Sequence, residues 1–447
     1  MSAYNWLQEN FILPVNDILS GRTISRALRF LLESQFWSFE MHQQFQEERL
    51  RLLVRHAYEN VPFYHDLFKS GNLLPSDIRT INDLHKMPVI LKDDLRNHPV
   101  EYYLARNIPK RKYVRMNSSG STGEPFTYFM TQESFSMNYA CAIRGWYWMG
   151  YRLGDTYTKM SQNRRSGFIK RCQDFVLRNN YMFIRDLTPE NLDDVIQALN
   201  DSQPEFIRCY PDPLVFMAEL INKGKMLKYS PKAINTTGNI MTREARSKIE
   251  NAFKSPVFDS YSCEASAQFF EDPDHKAYLA SMEYAITEVL DNQQNAVNAG
   301  RHITTDLWNF AMPFIRYDTQ DIIEKSEVLP GSDRQLTAFS QITGRNSDIL
   351  VTPSGKYLIV HTFTIFFEYF EEIKKFQVIQ NSPDSMKVRL AVNNRYSLET
   401  EKSILKGLRD LIGEDVKIEM EIVTDIPLLA SGKRKFLIRD ETVQINL

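Results

Sequence analysis

A hydroxyl-rich turn at residues 118–125, with the sequence Ser-Ser-Gly-Ser-Thr-Gly-Glu-Pro, carries the groups best suited to chemistry. Four hydroxyls and two glycines within six residues cannot build a hydrophobic core. They can build a loop whose backbone amides and hydroxyls converge on an anion, because glycine permits tight turns and close approach. The competing interpretation is a surface linker, although the strand-like segment 126–130 favours a loop held between strands. The turn residues are Ser118, Ser119, Gly120, Ser121, Thr122 and Gly123.

The spacing within this turn excludes two common nucleotide-binding patterns. The sequence lacks G-x-x-x-x-G-K-[ST], the pattern of the phosphate-binding P-loop. It also lacks G-x-G-x-x-G, the fingerprint of dinucleotide-binding folds.

Three further polar segments follow later in the chain. Residues 316–321, Arg-Tyr-Asp-Thr-Gln-Asp, come directly after an apolar run. An acid placed there can accept hydrogen bonds from the paired hydroxyls of a sugar, or can form an Asx turn with a surface ion pair. Residues 342–348 lie where the composition changes. Residues 431–435, Ser-Gly-Lys-Arg-Lys, put a lysine on a glycine loop that can reach phosphate oxygens or form a solvated basic turn.

The elements that must position these segments follow from hydrophobic periodicity. Residues 41–57 place apolar side chains at helical spacing, and the run 30–39 before them either packs in the core, which we favour, or covers a partner or membrane surface. Between about 100 and 330, short β-rich runs alternate with helices. One helix has Thr242 as its cap and Glu244 in its first turn. This alternation predicts an α/β fold.

The C-terminal hundred residues predict a separate α+β domain. Residues 375–380 and 386–392 alternate apolar and polar side chains around a turn. A helix is predicted over 398–412, with Leu398, Leu405, Leu408 and Leu411 facing inward, and a strand is predicted over 416–423.

Composition excludes several classes of protein. The chain has 447 residues with 54 basic and 56 acidic side chains, and a net charge of −2 argues against wrapping nucleic acid. Four cysteines without a C-x-x-C pair argue against a disulfide scaffold or zinc finger. We find no secretory signal and no apolar span of 18 residues, and therefore expect a cytoplasmic protein.

In their order along the chain, these segments resemble the motifs of the adenylate-forming ligases. The branch most similar is that of the phenylacetate–CoA ligases, including relatives from capsule and other polysaccharide gene clusters. Residues 61–68, 86–96 and 150–157 also resemble that branch, so the resemblance covers almost the whole chain. It implies a large N-terminal α/β domain, residues 1–347, that binds nucleotide and acid. A smaller, mobile α+β domain, residues 348–447, would carry a catalytic lysine.

The resemblance also implies roles for single residues. The turn 118–123 would wrap the β- and γ-phosphates of ATP, and Asp321 would bind the ribose hydroxyls. Arg345 would lie near the ribose, Asp348 would be the interdomain hinge, and Lys433 would reach the substrate carboxylate and the α-phosphate. The residues that would flank the adenine are Thr237 and Gly238, within the turn 236–239, and Asp259, Ser260 and Tyr261.

Three departures from the family pattern stand out. The family's tyrosine turn places a magnesium-binding Glu one position later than Glu264, so Glu264 would serve as catalytic and metal-binding residue through a one-residue shift. The phosphate turn is followed by Glu124 where a Lys is usual, which would leave Lys433 as the main cation on the phosphates. Some relatives carry a Cys/His cluster, but His275 has no Cys after it, and we predict no structural zinc.

Family positions also indicate the acyl pocket and a coenzyme surface. Tyr139, Arg144, Trp146 and Tyr210 lie where substrate-lining residues occur, and aromatic side chains there suit a planar or apolar acid. Core packing is an equal alternative, and Arg144 could pair either with the substrate or internally. Two basic clusters could meet the phosphates of coenzyme A or be solvated faces: Lys110, Arg111, Lys112 and Arg115, and Arg164, Arg165, Lys170 and Arg171.

The activity that the resemblance implies is ligation of a small carboxylic acid. ATP, Mg²⁺ and coenzyme A would take part, through an acyl-adenylate. One alternative is transfer of the acyl group to a carrier protein, an amine or a sugar nucleotide. Another is a non-catalytic descendant that still binds nucleotide, favoured by the shifted Glu264 and the missing lysine. A homodimer is expected by analogy with the family.

Overall fold

The computed structural model describes residues 2–440 except 93, 118–126, 162–166, 185–188, 239–240, 264–267, 273–276, 327–332, 344–348, 355–356, 368 and 427–435. Within these residues, no helix combines the length and the apolar character needed to cross a bilayer.

The helices account for most of the N-terminal third. They are α1 (Ala3–Leu7), α2 (Leu13–Ser20), α3 (Ile24–Ser34), α4 (Phe39–Asn60), α5 (Pro62–Ser70), α6 (Gln132–Trp148), α7 (Phe168–Val176), α8 (Pro189–Ser202), α9 (Pro211–Asn222), α10 (Arg243–Phe253), α11 (Val360–Phe367) and α12 (Leu398–Ile412). A π-helical segment, Gln8–Ile12, joins α1 to α2.

The strands concentrate after residue 110. They are β1 (Tyr113–Asn117), β2 (Thr127–Thr131), β3 (Tyr157–Ser161), β4 (Asn179–Phe183), β5 (Phe206–Cys209), β6 (Ala233–Thr237), β7 (Val257–Ser262), β8 (Gln268–Glu271), β9 (Tyr278–Ala280), β10 (Ala285–Leu290), β11 (Ala299–Asp306), β12 (Tyr317–Lys325), β13 (Ala338–Thr343), β14 (Ile349–Val351), β15 (Tyr357–Ile359), β16 (Ile373–Ser382), β17 (Ser385–Val392), β18 (Lys417–Val423) and β19 (Leu437–Arg439).

The contacts between residues divide the chain into two compact units. The first contains residues 1–116, 128–155 and 258–344, and the second contains 117–127, 156–257 and 345–447. The predicted domain boundary between residues 347 and 348 lies outside the described residues.

The first unit combines helices with antiparallel strands. The strands lie in the order β10-β11-β12-β13-β9-β8-β7, and every neighbouring pair is antiparallel. Helix α4 begins where the Ser38 side chain accepts a hydrogen bond from the Met41 amide at 3.2 Å. It buries Leu50, Leu53, Val54 and Ala57, as the periodicity of residues 41–57 predicts. In the run 30–39, Leu31 is buried in the core while Phe36 is 56% exposed.

The second unit contains parallel strands in the order β6-β5-β3-β4, connected by helices. Helix α10 begins as predicted, because the Thr242 hydroxyl accepts a hydrogen bond from the Ala245 amide at 3.1 Å. Its Ile249 and Phe253 are buried in a core shared with Ile207 and Leu214. Alternating parallel strands and helices confirm the predicted α/β class.

The C-terminal part of this unit has a β–β–α–β order. Strands β16 and β17 form an antiparallel hairpin, and β18 pairs in parallel with β17 after the α12 crossover. Ile404, Leu408 and Ile412 are the buried side chains of α12. The prediction that Leu398 faces inward is wrong, since it is 78% exposed. It is the first residue of the helix and lies roughly 80° around the axis from the buried stripe.

Candidate functional site

Within the first unit, the side chains of Tyr261, Asp321 and His302 lie in contact, each from a different strand. The Tyr261 hydroxyl on β7 donates a hydrogen bond to Oδ2 of Asp321 on β12 at 2.7 Å. His302 on β11 places its Nδ1 3.2 Å from the same hydroxyl oxygen. Phe269 packs against both rings, with centroids 5.3 Å from Tyr261 and 5.2 Å from His302. The structure thus brings together two of the residues that the motifs single out, Tyr261 and Asp321.

The meeting of these strands requires a strongly curved sheet. Strands β13, β9 and β8 separate β12 from β7 in the sheet order. A flat sheet would hold β7 and β12 about 19 Å apart, four spacings of about 4.8 Å, which exceeds the reach of a tyrosine side chain. The Tyr261–Asp321 hydrogen bond is therefore a product of sheet twist and curvature.

The segment 316–321 is held by a dense set of polar contacts. Arg316 is buried and pairs with Glu288, with Nη2 and Oε1 3.1 Å apart. Asp318 accepts from the Gln320 amide at 2.7 Å and pairs with Arg301 at 2.5 Å. The Asx turn and ion pair that we weighed against a sugar-binding acid therefore belong to Asp318, while Asp321 is directed to Tyr261.

Two residues of this segment adopt left-handed backbone conformations that side chains seldom occupy. The φ angle is 52° at Arg316 and 64° at Gln320. Each such residue costs of order 1–3 kcal/mol and persists only where the surroundings hold it in place, and such residues cluster at functional sites. Here the buried Arg316 ion pair and the Asp318 turn supply that support.

Asp259 lies near the start of β7 and is engaged by the protein itself. Its Oδ2 accepts a hydrogen bond from the Tyr278 hydroxyl at 2.7 Å, and its amide donates to Glu271 at 2.9 Å. Asp259 is 6% exposed. Its side chain thus stabilises the strand that presents Ser260 and Tyr261.

In the second unit, Tyr210 and Gly238 meet at the carboxyl ends of two neighbouring parallel strands. Strand β5 ends one residue before Tyr210, and β6 ends with Thr237 just before Gly238. A Cβ atom on Gly238 would lie 2.8 Å from the Tyr210 ring, and Gly238 has a φ of 86°. A glycine is therefore required for Tyr210 to lie there. Ligands of parallel α/β sheets bind at such carboxyl ends.

The predicted acyl-pocket residues of α6 lie mainly in the core. Trp146 is 6% exposed and packs edge-on against Tyr139 and Tyr151, with centroids 6.2 and 5.9 Å apart. Arg144 is fully buried and pairs with Glu283 through Nη1 and Oε1 at 2.7 Å. Of the two roles open to Arg144, the structure contains the internal ion pair.

The buried pair at Arg144 has further partners. Nη2 of Arg144 donates to Ser281 at 2.9 Å, and the Ser34 hydroxyl donates to Glu283 at 2.6 Å. Burial alone would raise the pKa of Glu283, but the charges of Arg144 and His42 and the bond from Ser34 hold that pKa below its usual value. Glu283 is therefore ionised in the folded protein.

The remaining predicted site residues lie outside the described part of the chain. They are Ser118, Ser119, Gly120, Ser121, Thr122, Gly123, Glu264, Arg345, Asp348 and Lys433. Their roles stay predictions. Of the basic clusters, Lys110 pairs with Glu101 on the surface at 3.1 Å, and Lys170 and Arg171 are exposed.

Sequence reasoning missed His302 and Glu283. A single histidine on an alternating strand carries no spacing signal, and Glu283 precedes β10 without any motif. Each became recognisable only through its partner, Tyr261 or Arg144.

The burial of His302 has a consequence for stability in acid. Burial lowers its pKa from 6.5 to about 3. Below about pH 6.5 the unfolded chain takes up a proton here and the folded chain does not, so stability falls as the pH drops toward 3. Between about pH 6.5 and 5 this single group lowers the free energy of unfolding by about 2 kcal/mol. The free energy of unfolding, measured with urea, falls in the wild type between about pH 7.5 and 5. We expect this fall to be smaller in His302→Asn, because asparagine does not titrate. An unchanged loss would show that His302 titrates normally.

The chain is similar in sequence to known proteins. Residues 350–440 match the family model described as the CapK C-terminal domain. The chain is 25% identical to Protein CapK of Staphylococcus aureus over 406 residues, covering 89% of each protein. It is 26% identical to phenylacetate-coenzyme A ligase of Pseudomonas putida over 329 residues, which cover 70% of this chain and 73% of that enzyme.

Solved structures share the fold. The crystal structure of 2-hydroxyisobutyryl-CoA ligase with 2-HIB-AMP and CoA has a TM-score of 0.62 to this chain at 17% identity, covering 91% of this chain and 92% of that one. The chain therefore shares the fold of 2-hydroxyisobutyryl-CoA ligase. The predicted resemblance to the phenylacetate–CoA ligases and their capsule-biosynthesis relatives is confirmed.

Proposed function

We propose that this protein is an AMP-forming acid–CoA ligase. It would activate a carboxylic acid with ATP to an acyl-adenylate, release pyrophosphate, and transfer the acyl group to the thiol of coenzyme A. The observation that carries this proposal is the Tyr261–Asp321 hydrogen bond, which joins two predicted nucleotide-binding residues from distant segments. The phenylacetate-coenzyme A ligases among the relatives support the reaction class.

The ribose subsite would be built on Asp321. Its carboxylate is half-buried, and the bond from Tyr261 holds one of its oxygens in place. A carboxylate offers about four lone-pair sites, so a bond from Tyr261 is compatible with further bonds from ribose hydroxyls. Tyr261 stays protonated, since burial and then the charge of Asp321 raise the pKa of its hydroxyl well above 10.

The chemical problem is to bring two anions together. A carboxylate attacking the α-phosphate of ATP must overcome the repulsion between like charges. In our proposal the ammonium of Lys433 neutralises charge at the reacting oxygens, and the amides of the 118–123 turn bind the β- and γ-phosphates. Mg²⁺, when bound, would supply further neutralisation, with Glu264 as its proposed ligand. The site would lower the barrier further by holding the carboxylate oxygen near contact distance from the α-phosphorus.

The substrate class is proposed from the surroundings of Tyr210. This ring lies against Gly238 at the carboxyl ends of β5 and β6, where an aromatic surface suits a planar or apolar acid. Burial raises the pKa of Tyr210 to about 12, so it would act as a neutral wall or hydrogen-bond donor.

The test of the activity is ATP–pyrophosphate exchange. Purified protein is incubated with ATP, Mg²⁺, labelled pyrophosphate and a panel of aromatic and aliphatic acids. Acid-dependent incorporation of label into ATP is expected. Nucleotide binding without exchange for any acid would instead indicate a non-catalytic descendant.

A second candidate differs in the acceptor. Protein CapK matches 89% of the chain and the C-terminal match is to the CapK domain, which supports an acceptor used in polysaccharide synthesis as the alternative. The acyl group would then pass to a carrier protein, an amine or a sugar nucleotide. Product analysis of the pre-formed acyl-adenylate with coenzyme A, a carrier protein and amine acceptors in parallel separates the two.

Asp321→Ala is expected to weaken ATP binding about 100-fold. The reason is the loss of two hydrogen bonds to a charged acceptor, each worth about 1.5 kcal/mol. Calorimetric titration with ATP measures the change. Asp415→Ala, a variant at an aspartate on the C-terminal part whose Oδ2 accepts from the Ser354 amide, is the control and should retain wild-type affinity. If Asp321→Ala binds ATP as tightly as the wild type does, Asp321 is not part of the nucleotide site.

A further inference from the structure

His302 is a buried histidine with an unusual hydrogen-bonding state. Its side chain has no exposed surface, and it lies beside Tyr261 and Phe269. Nδ1 is 3.2 Å from the Tyr261 hydroxyl oxygen. Within the described residues, Nε2 is buried and has no hydrogen-bond partner. Among the residues that the structure describes, the ring therefore has one polar contact, and that contact is to Tyr261.

Counting protons settles the direction of each hydrogen bond. The Tyr261 hydroxyl has a single proton to donate. Its contact with the charged acceptor Asp321, at 2.7 Å, is shorter and stronger than its contact with Nδ1 of His302, at 3.2 Å. If that proton pointed to His302 instead, the phenol oxygen and the carboxylate oxygen would face each other without a proton between them. The Tyr261 proton therefore lies on the bond to Asp321.

The histidine must then be the donor to Tyr261. Its Nδ1 can only donate, because the phenol proton is already committed to Asp321. A neutral ring protonated at Nδ1 also avoids a buried N–H at Nε2 without an acceptor, which is the costlier arrangement. The strong lowering of its pKa by burial agrees with a neutral ring.

We infer that His302 is a positioning residue of the ribose subsite, whose Nδ1–H orients the Tyr261 hydroxyl so that its proton aligns the Asp321 carboxylate. The relay runs from His302 to Tyr261 to Asp321. Two backbone-linked bonds brace it: the Thr319 hydroxyl donates to the His302 carbonyl at 3.1 Å, and the Asp321 amide donates to the Thr319 hydroxyl at 3.2 Å. This inference rests on the proposed function, because it assigns Asp321 to ribose.

The test compares ATP with 2′,3′-dideoxy-ATP, which lacks both ribose hydroxyls. Binding of each nucleotide is titrated calorimetrically to the full-length wild type, His302→Leu and His302→Asn. Leucine removes the donor and keeps an apolar volume, whereas the asparagine amide nitrogen can stand where Nδ1 stands. We expect His302→Leu to bind ATP about 10-fold more weakly, the value of one hydrogen bond, and to bind the dideoxy analogue unchanged. His302→Asn should retain most of the discrimination between the two nucleotides.

The outcomes separate this inference from the proposed function. A wild type that binds neither nucleotide overturns the proposed function and the inference with it. A wild type that binds ATP, with a leucine variant that keeps its discrimination, overturns the inference alone. Equal weakening toward both nucleotides in the leucine and asparagine variants also overturns it, since a structural role would affect both.

The tautomer provides a readout that requires no ligand. In ¹⁵N-histidine-labelled protein, the resonances absent from His302→Asn identify His302 among the eight histidines. A protonated Nδ1 with an unprotonated Nε2 is expected, and Tyr261→Phe should shift the Nδ1 signal. The opposite tautomer would overturn the inference.

Discussion

Replacing Arg144 by leucine is expected to lower the free energy of unfolding by about 3–5 kcal/mol. Arg144 and Glu283 are both buried, with their side chains 1% and 0% exposed. Removing the guanidinium leaves an ionised Glu283 in the core, still bonded to Ser34 but without its counter-charge. The cost comes from that unpaired charge and not from the net value of the pair. Urea unfolding followed by circular dichroism measures it.

Two further variants identify the cause. Arg144→Leu combined with Glu283→Leu removes both charges and should recover most of the lost stability, because apolar side chains often replace a buried pair without loss. The matched control is Lys110→Leu, which breaks the exposed ion pair with Glu101 and should cost less than about 1 kcal/mol. If the Arg144 variant is no less stable than the Lys110 variant, the buried charge of Glu283 is compensated by other means.

Replacing Lys433 by alanine is expected to slow acyl-adenylate formation by about 100- to 1,000-fold. A preorganised charge on the reacting oxygens is worth about 2.7–4 kcal/mol in a transition state. The thioester-forming half should be much less affected, because pyrophosphate has already left and the acyl carbon is activated. The two halves are measured separately, by pyrophosphate release and by reaction of pre-made acyl-adenylate with coenzyme A.

The neighbouring basic residues supply the control for Lys433. Arg434→Ala and Lys435→Ala change the local charge by the same amount on the same segment, so each should slow adenylation by less than about 5-fold if the effect requires a directed ammonium. Equal losses in both half-reactions for the Lys433 variant would contradict its assigned role in adenylation.

Local patterns predicted the helices and strands well where one face is buried. Helix α10 begins at its predicted Thr242 cap, and α12 spans the predicted residues 398–412. A cap and an apolar stripe are encoded within about four residues, so they are readable without the tertiary structure. The inward face of α12 was predicted less well, because the end of a helix has fewer neighbours to cover it and Leu398 remains exposed.

In the candidate site, the identity of some residues could be predicted from local motifs, but the contacts between them could not. Tyr261 and Asp321 were predicted from segments sixty residues apart, as members of two motifs. That their side chains touch could not be predicted, because the strands between them must curve to bring β7 to β12. Nor could the role of Gly145 be predicted: the Phe270 ring occupies the position that a Cβ atom would take.

The sequence by itself determined the types of element, the order of the motifs and the class of ligase they resemble, because these depend on residue type and short spacing. Only the tertiary structure decided that Arg144 pairs with Glu283 inside the protein and that His302 lies behind Tyr261. Each of those partnerships joins residues from 41 to 139 positions apart. Contacts over such distances depend on how strands curve and which faces are buried, and no local pattern in the chain encodes them.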